Sequence, residues 1–410
     1  MPKPERRTTG DLVAVAMLTV GVLVTAAVLW HYGDARATTS QTATSKPPPL
    51  TSATALPPSL APVWQAPSAA TPAPVVAGGS VVTGNGSEVT GRDPFTGDVR
   101  WRYTRNIPLC TVVPAVLAGD AGSFSNAVAT FSKEPAFCSE VVMLAGGTGS
   151  RVAQRNGDAE AGARVLTDGT HITAAGNQYL ETWRSDLVRT TQYGRVQAQV
   201  NPGKQPRSGC EYGSVAVASN LIALIERCPS EDSDRLTVLK ANPANAEQPE
   251  VSFSVEIGVR GARVIAVSTE RVAVLLPDPA RLASFDKTGN QVTTTPLDIT
   301  VPTNSGQVEP PVTTVTPGAV YWFTGSSTIA LDPSDLTPRW SVPGTLGPGT
   351  LMAGRLLVPV PGQLAVLDAG TGTRIGGIPV DRGSYQGPVQ LAAAGSVVLE
   401  QRGSQLVALR

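Results

Sequence analysis

The side chains best suited to catalysis are sparse, because the chain contains only two histidines, His31 and His171. His31 borders a long apolar stretch, and His171 alone cannot supply a metal centre with several imidazole ligands. His171 could act as the base of a hydrolase triad, but no G-x-S-x-G motif supplies the serine nucleophile. We therefore interpret His171 as a structural residue of a strand.

Carboxylates could also do chemistry, since a glycosidase needs only two of them at a suitable separation. The densest acidic stretch contains Glu231, Asp232 and Asp234. It could bind calcium, but it lacks the glycine and the terminal glutamate of an EF-hand loop. We favour the alternative, a solvated hairpin tip. No residue is therefore assigned to catalysis, to a metal or to a cofactor, and the sequence predicts a protein that is not an enzyme.

Four cysteines, Cys110, Cys138, Cys210 and Cys228, form two locally spaced pairs. Neither pair has the C-x-x-C spacing of zinc or thioredoxin-type sites. Four cysteines allow three pairings, and local spacing favours Cys110–Cys138 and Cys210–Cys228 disulfides in an oxidising compartment. Buried free thiols are the alternative.

The N-terminal residues predict export from the cytoplasm. Residues 12–30 are uncharged and long enough to span the hydrocarbon core of a bilayer, and they follow a basic tail, residues 1–11. The positive-inside rule leaves this tail in the cytoplasm and the rest of the chain outside. A signal peptide cleaved after Ala37 is the alternative, but the length of the apolar stretch favours an uncleaved single-pass anchor.

The chain changes character twice after the anchor. Residues 31–62 are rich in Thr, Ser, Ala and Pro without apolar periodicity, which predicts a flexible linker. Residues 63–410 alternate short β-branched runs with Gly, Pro, Asp and Asn turns, which predicts one all-β domain outside the cytoplasm. Lysine plus arginine and aspartate plus glutamate number 32 each, so no net charge attracts nucleic acid.

A repeated phrase organises residues 63–410. "TGRDPFTGDVRW" contains Asp93 and Trp101, and "IALDPSDLTPRW" repeats the same step from Asp332 to Trp340. The average spacing of the copies is about 45 residues, which is typical of four-stranded propeller blades. The copies have their turns at positions 93, 145, 183, 240, 286, 332, 368 and 410.

Each residue type in the phrase has a structural reason to be there. The aspartate can accept hydrogen bonds from turn amides, and the glycine supplies the positive φ of a tight hairpin. The tryptophan has a large face to bury between neighbouring blades. We therefore predict that Trp64, Trp101 and Trp340 pack between blades instead of binding a ligand.

Eight turn positions favour eight blades, and seven is the alternative because the copies near 183 and 240 are faint. The last repeat ends at Arg410, before its outer strand, while Val63 and Trp64 precede the first inner strand. The simplest closure lets this N-terminal strand complete the last blade, which removes an exposed sheet edge.

These repeats resemble the PQQ-like β-propeller superfamily, and most of all its membrane-tethered members without enzymatic activity, such as the propeller lipoprotein of outer-membrane protein assembly. The stretches "WRYTRNIPLC", "WRSDLVRTTQYGRVQAQVNPGKQPRSGC" and "IERCPSEDSDRLTVL" also resemble an actinobacterial family of membrane-anchored envelope propellers that includes a polar-growth factor. That resemblance implies a scaffold accessory to mycolate-lipid transport and polar growth. Quinone-dependent dehydrogenases of the superfamily carry adjacent cysteines, which this chain lacks.

One long segment is the best candidate for contact with a partner. Residues 192–208 contain Arg195, Lys204 and Arg207 and no acid, and long loops on rigid scaffolds often bind partners. We expect envelope membrane proteins, and also lipids, as the partners; an ordinary exposed connection is the alternative. The alternative function is a small-ligand-binding protein or a PQQ-type enzyme that uses the propeller channel.

Overall fold

The computed structural model describes residues 8–33, 36–118, 123–197, 203–245, 248–301 and 307–410. One helix, α1 Thr9–Tyr32, precedes a body made of strands. A capping box starts the helix, because the Asp11 amide donates to Thr8 Oγ1 and the Thr8 amide donates to Asp11 Oδ2. The helix is apolar and long enough to cross a membrane, and the side chains of residues 9–31 are exposed. The predicted N-terminal apolar helix is therefore confirmed, whereas the basic residues of the tail, 1–7, lie outside the described residues.

The strands before residue 160 are β1 Thr38–Gln41, β2 Pro62–Pro67, β3 Val75–Ala77, β4 Ser80–Asn85, β5 Glu88–Arg92, β6 Val99–Arg105, β7 Leu109–Ala118, β8 Ser123–Phe131, β9 Glu140–Ala145 and β10 Arg151–Asn156. The strands between residues 160 and 300 are β11 Arg164–Thr167, β12 His171–Ala175, β13 Tyr179–Arg184, β14 Arg189–Gly194, β15 Glu211–Ala218, β16 Leu221–Arg227, β17 Arg235–Lys240, β18 Val251–Glu256, β19 Arg263–Val267, β20 Val272–Leu276, β21 Arg281–Phe285 and β22 Gln291–Pro296. The strands after residue 307 are β23 Thr313–Val315, β24 Val320–Phe323, β25 Ser327–Leu331, β26 Pro338–Pro343, β27 Thr350–Met352, β28 Arg355–Val360, β29 Gln363–Leu367, β30 Arg374–Pro379, β31 Val389–Ala394, β32 Val397–Arg402 and β33 Gln405–Leu409.

These strands pair in antiparallel groups of four. Consecutive strands form the sheets β11–β14, β15–β18, β19–β22, β23–β26 and β27–β30. A nine-stranded sheet contains β1 and two further groups, β3–β6 and β7–β10, which a parallel bridge between Ala77 and Phe124 joins. The predicted all-β architecture is therefore confirmed.

The last group takes its fourth strand from the other end of the chain. β2 pairs with β33, and the sheet order is β2-β33-β32-β31. Trp64 lies opposite Ala408, and Ala61 and Arg410 exchange two backbone hydrogen bonds of 3.0 Å. The strand around Trp64 is thus the fourth strand of the sheet that contains β31, β32 and β33.

Hydrophobic clusters fill the space between successive groups of strands. Trp101 of the first group packs with Val142 of the second, and later clusters repeat this arrangement along the chain. A further cluster brings Val81 of the first group against Ala394 and Leu399 of the last group. Burial of these apolar faces, roughly 25 cal/mol for each Å² removed from water, is the main stabilisation available to such small sheets.

The predicted flexible linker differs from the structure, because residues 38–61 lie against the strands. β1 pairs with β6, the outer strand of the first group, and the Ala43 amide donates to the Thr148 carbonyl over 3.0 Å. Leu60 is buried in the cluster between the last two groups. The prediction failed because Thr, Ser and Pro dominate this segment, and its few apolar side chains bind surfaces formed by strands that are distant along the chain.

Candidate interaction face

The antiparallel groups present two ends with different roles. We call one end the turn face, which carries the turns between first and second strands and between third and fourth strands. The other end is the connection face, which carries the turns between second and third strands and the connections from one group to the next. The longest of these connections are residues 195–210, between β14 and β15, and residues 297–312, between β22 and β23.

The turn face is built from the repeated phrase. Asp93 Oδ1 accepts the amides of Phe95 and Thr96 over 2.8 and 3.1 Å, and its other oxygen lies 2.5 Å from the Arg100 guanidinium. Asp332 repeats this pattern with Arg339, also at 2.5 Å. The aspartate of the phrase therefore fixes its own turn and also holds the start of the outer strand.

The glycine of the phrase receives the tryptophan of the preceding group. Gly149 has a φ of 70°, and a Cβ atom placed on it would lie 2.5 Å from the Trp101 ring. Only glycine therefore permits both the turn and the close approach of the indole. The pairs of this kind are Trp64 on Gly97, Trp101 on Gly149 and Trp340 on Gly372.

The indole N–H groups of these tryptophans have different partners. Trp64 Nε1 donates to the Pro94 carbonyl over 2.9 Å, and Trp101 Nε1 donates to the Gly146 carbonyl over 2.7 Å. Trp340 Nε1 is buried without a hydrogen-bond partner among the described residues. All three rings lie at contacts between groups of strands, where packing is the role that their surroundings give them.

His171 is also part of the turn face. Its side chain is buried, its backbone amide donates to Asp168 Oδ1 over 2.6 Å, and its Nδ1 lies 3.3 Å from Asp168 Oδ2. Burial acts to raise the pKa of Asp168, but hydrogen bonds from His171 and from neighbouring backbone amides lower it to about 2. Asp168 Oδ2 also accepts the Asn220 amide, so this pair connects the third and fourth groups.

Both disulfides lie on the connection face. Cys110 of β7 is bonded to Cys138, which lies between β8 and β9. Cys210 precedes β15 and is bonded to Cys228, which follows β16. The predicted pairing is therefore confirmed, and it supports an extracytoplasmic location for the body of the protein.

The three basic residues of the long connection have different environments. Arg195 is exposed and donates to Gln178 Oε1 over 3.1 Å, and Lys204 is also exposed. Arg207, in contrast, is half-buried against Glu226, with 2.9 Å between Nε and Oε2. Residues 198–202, between them, lie outside the described residues. Arg207 is therefore less available to contact a partner than the sequence predicts, because its guanidinium already binds Glu226.

The contacts of Arg207 form a buried polar cluster. Glu226 is fully buried and also accepts the Tyr193 hydroxyl over 2.7 Å, while Arg207 Nη2 donates to the same hydroxyl over 3.0 Å. Burial raises the pKa of Tyr193. Burial acts to lower the pKa of Arg207, but the Glu226 carboxylate raises it overall. The cluster holds the long connection against the fourth group.

Similar ion pairs, which sequence patterns did not predict, connect other groups. Arg105, at the end of β6, makes two bonds of 2.6 Å to Glu140, at the start of β9. Arg382, in the connection before β31, donates to Glu400 over 2.7 Å and to the Val360 carbonyl over 2.7 Å. A signal was present in the sequence, because isolated Glu residues within apolar strands are costly unless paired.

The acidic stretch is not a solvated tip. Asp234 is fully buried, with the Ala262 amide donating to Oδ2 over 3.0 Å and the Arg260 guanidinium 3.5 Å from Oδ1. Glu231 lies 2.6 Å from the Arg235 guanidinium. The acids were misinterpreted because the fold places Arg235 of β17 beside Glu231 and Arg260 beside Asp234. Among the described residues, no group of three or more His, Cys, Asp or Glu side chains has the arrangement of a metal site.

A cavity of about 740 Å³ opens on the connection face where several first strands begin. Trp322, Ile265 and Val165 contribute to its apolar wall. Arg263 and Glu309 also line it and form an ion pair of 2.9 Å. Glu309 is the one carboxylate among the described lining residues, so the cavity offers volume and charge for binding but no converging acid and base.

The segment beside this cavity departs from the regular connections. Residues 302–306 lie outside the described residues. Beyond them, the Val308 amide donates to Asn177 Oδ1 and the Glu309 amide donates to the Gly213 carbonyl, both over 3.2 Å. A connection between the fifth and sixth groups therefore also contacts the third and fourth groups, and it forms part of the cavity wall.

The antiparallel groups of four strands define a β-propeller fold, and solved structures with a similar fold cover most of the chain. BamB from Moraxella catarrhalis is similar with a TM-score of 0.51 and 13% identity over 86% of this chain and 99% of BamB. The computationally designed Ika8 protein is similar with a TM-score of 0.54 and 12% identity over 85% of this chain and 98% of Ika8. Dihydro-heme d1 dehydrogenase NirN gives a TM-score of 0.47 and 12% identity over 75% of this chain and 66% of NirN.

No protein-family model and no curated protein sequence matches the chain. At 12–13% identity the structural similarity establishes the fold and leaves the function to the features of this chain. The predicted propeller fold is therefore confirmed, whereas membership of the PQQ-like superfamily stays a prediction.

Proposed function

We propose that this protein is a membrane-tethered propeller scaffold without catalytic activity that serves cell-envelope assembly by binding envelope proteins, lipids or both. The observation that carries the proposal is the combination of a BamB-like propeller with an N-terminal apolar helix in one chain. A rigid body on a membrane anchor has a raised effective concentration for membrane-bound partners. The two disulfides fit a location outside the cytoplasm.

We infer eight blades in a closed ring. The nine-stranded sheet then comprises two blades, β3–β6 and β7–β10, with β1 added to an outer edge. β2 completes the eighth blade, and the contact of Val81 with Leu399 is the interface between the last blade and the first. Closure suits a scaffold because the first and last blades pack against each other, so neither exposes an uncovered interface.

The anchor gives the protein its place in the envelope under this proposal. The helix spans the cell membrane once, the N-terminal tail stays in the cytoplasm, and the propeller lies on the periplasmic side. The sequence resemblance to actinobacterial envelope propellers supports a role as an accessory to mycolate-lipid transport and polar growth. The partners are then a transporter or an assembly factor in the same membrane.

Arg195 and Lys204 give a direct test with the full-length protein in its native membrane. We expect chemical crosslinking and purification to recover a membrane protein in stoichiometric amount. The double substitution Arg195→Glu and Lys204→Glu should reduce its recovery at least tenfold, because it reverses two exposed charges on the connection face. Lys287→Glu reverses an exposed charge on the turn face and should leave recovery unchanged. The scaffold proposal fails if only the protein itself is recovered while the purified chain turns over a small molecule.

The cavity favours a second function, the binding of a small ligand or a lipid chain. Its volume of about 740 Å³ falls within the range of ligand pockets, and aromatic and aliphatic side chains contribute to its wall. Val312→Trp would fill the cavity from a position that is already 37% exposed. Native mass spectrometry after mild purification should then find a bound small molecule on the wild-type chain and none on the variant. Equal spectra would rule out this use of the cavity.

A further inference from the structure

The segment between the helix and the propeller follows a defined path over the surface. β1 pairs with the outer edge of β6 in a register that sets Thr38 opposite Arg105 and Gln41 opposite Arg102. Thr38 Oγ1 also accepts the Arg105 guanidinium over 2.5 Å, and Arg105 is the residue that binds Glu140. The segment therefore begins at the connection face, beside the ion pair between the first two groups.

From there the segment continues to the turn face and across it. The Ala43 amide donates to the Thr148 carbonyl, and Pro47 packs against the turn glycines Gly79 and Gly147. Further apolar side chains then contact the hydrophobic clusters of the last two groups and the first. The contacting residues are Leu50, Ala53, Leu56 and Leu60.

The spacing of these contacts explains how a segment rich in proline binds without regular pairing. Ala43, Pro47, Leu50, Ala53 and Leu56 follow one another at intervals of three or four residues. A polyproline II helix has three residues per turn, so it presents such positions on one side. We call residues 38–61 the strap, because the whole segment is held against the propeller.

A bound strap shortens the connection to the helix. Only residues 33–37 separate Tyr32 from Thr38, and six residue steps reach at most about 20 Å. A free linker from Tyr32 to Pro62 would instead allow up to roughly 100 Å and any orientation. The strap thus limits the distance between the propeller and the membrane. It also determines which end of the propeller lies next to the helix.

We propose that the strap holds the connection face toward the bilayer, so that this face meets membrane-embedded protein partners and the turn face points away. The inference rests on the proposed membrane anchor. It assigns the membrane side to the face that carries both disulfides, the long connection with Arg195 and the opening of the cavity.

Two labels at the ends of one strand test this orientation. The four native cysteines are all in disulfides, so a single introduced cysteine accepts a fluorophore specifically. Asn106 is exposed just after β6, on the connection face, and Asp98 is exposed just before β6, on the turn face. In full-length protein reconstituted into lipid nanodiscs, energy transfer to acceptor lipids should be greater from Asn106→Cys than from Asp98→Cys. The two labels lie about 25 Å apart along the strand, so the difference is measurable.

A second pair of labels tests the same orientation in a part of the propeller that lies away from the strap. Arg195 follows β14 on the connection face, and Val188 precedes β14 on the turn face; both are exposed. Arg195→Cys should also transfer more energy to the lipids than Val188→Cys. Equal or reversed transfer in either pair overturns the proposal, because the propeller would then stand on its edge or face the other way.

Releasing β1, the part of the strap nearest to the helix, distinguishes the effect of the strap from that of the anchor. Thr39→Pro with Ser40→Pro removes two consecutive amides from β1, one of which faces the ladder with β6. The excess of transfer from Asn106→Cys over that from Asp98→Cys should then disappear, while the amides that remain in β1 lose protection from hydrogen exchange. Unchanged transfer after loss of protection would refute the strap as the orienting element. Flotation with vesicles tests the anchor itself, so a failure of the proposed function is recognised independently.

Discussion

The turn face and the connection face are made by the same strands but are stabilised in different ways. On the turn face one pattern recurs, in which an aspartate binds turn amides and a glycine accepts the indole of the preceding blade, as at Asp368, Gly372 and Trp340. On the connection face each contact is individual, such as the buried pairs Arg382–Glu400 and Arg207–Glu226.

This difference separates assembly from recognition. Where they occur, the repeated turn contacts join neighbouring blades without specifying anything else, because they use backbone amides and one ring. The connection face uses long segments and charged side chains that occur once each, and such segments are where rigid scaffolds carry binding sites. We therefore expect substitutions on the turn face to act on stability alone, and substitutions of exposed side chains on the connection face to act on binding.

The largest effect should come from Glu400 on the connection face. Its carboxylate is fully buried between Arg382 and Arg402, at 2.7 Å from the Nη2 of the first and the Nε of the second. Glu400→Gln leaves two guanidinium groups without their counter-ion and should lower the free energy of unfolding by about 3–5 kcal/mol. The measurement is the shift in the midpoint of urea unfolding, followed by tryptophan fluorescence.

An exposed ion pair serves as the control for this prediction. Glu270 and Lys287 form a pair of 2.8 Å on the turn face, with both side chains more than half exposed. Glu270→Gln should leave the midpoint unchanged, because solvent screens such pairs. A similar shift in both variants would mean that burial does not distinguish the ion pairs of the connection face.

A smaller effect should follow from adding one methyl group on the turn face. Gly149→Ala places a Cβ within 2.5 Å of the Trp101 ring, which must move. Overpacking of this kind costs about 1–3 kcal/mol, in addition to about 1–2 kcal/mol for an alanine at positive φ. The shift in the urea midpoint should therefore exceed that of a variant with backbone strain alone.

Gly86 provides that comparison from the connection face. It has a φ of 63°, and a Cβ atom on it would meet nothing within 4 Å. Gly86→Ala should show only the cost of the positive φ. If the two alanine variants unfold at the same urea concentration, the contact with Trp101 does not restrict position 149.

The success of sequence reasoning follows the same division between the faces. The Asp93 turn, the glycine and Trp101 lie within a dozen residues and recur, so the sequence predicted the strands, the repeat and the outer-strand tryptophans. The ion pair of Arg105 and Glu140 joins positions 35 residues apart without a repeated pattern, and single-sequence periodicity cannot find such a partner. The bond of Arg207 to the buried Glu226, 19 positions away, is hidden from the sequence for the same reason.

The strap shows a different limit of sequence reasoning. Its composition is that of a flexible linker, and linker composition predicts disorder when no apolar surface is available to bind. Here Leu56 and Leu60 meet a surface formed by blades hundreds of residues away along the chain. The three-to-four-residue spacing of its apolar side chains was a visible signal, but only the folded propeller shows what they contact.

The smallest effect should distinguish two tryptophans that the repeat makes equivalent. Trp101 Nε1 donates to the Gly146 carbonyl, whereas Trp340 Nε1 is buried without a partner among the described residues. Phenylalanine keeps most of the ring and removes the N–H group. Trp101→Phe should therefore cost about 1 kcal/mol more than Trp340→Phe in urea unfolding, because only the first loses a hydrogen bond. Equal shifts would mean that the Trp340 N–H group finds a hydrogen-bond partner in solution. The two tryptophans would then not differ in the hydrogen bonding of their N–H groups.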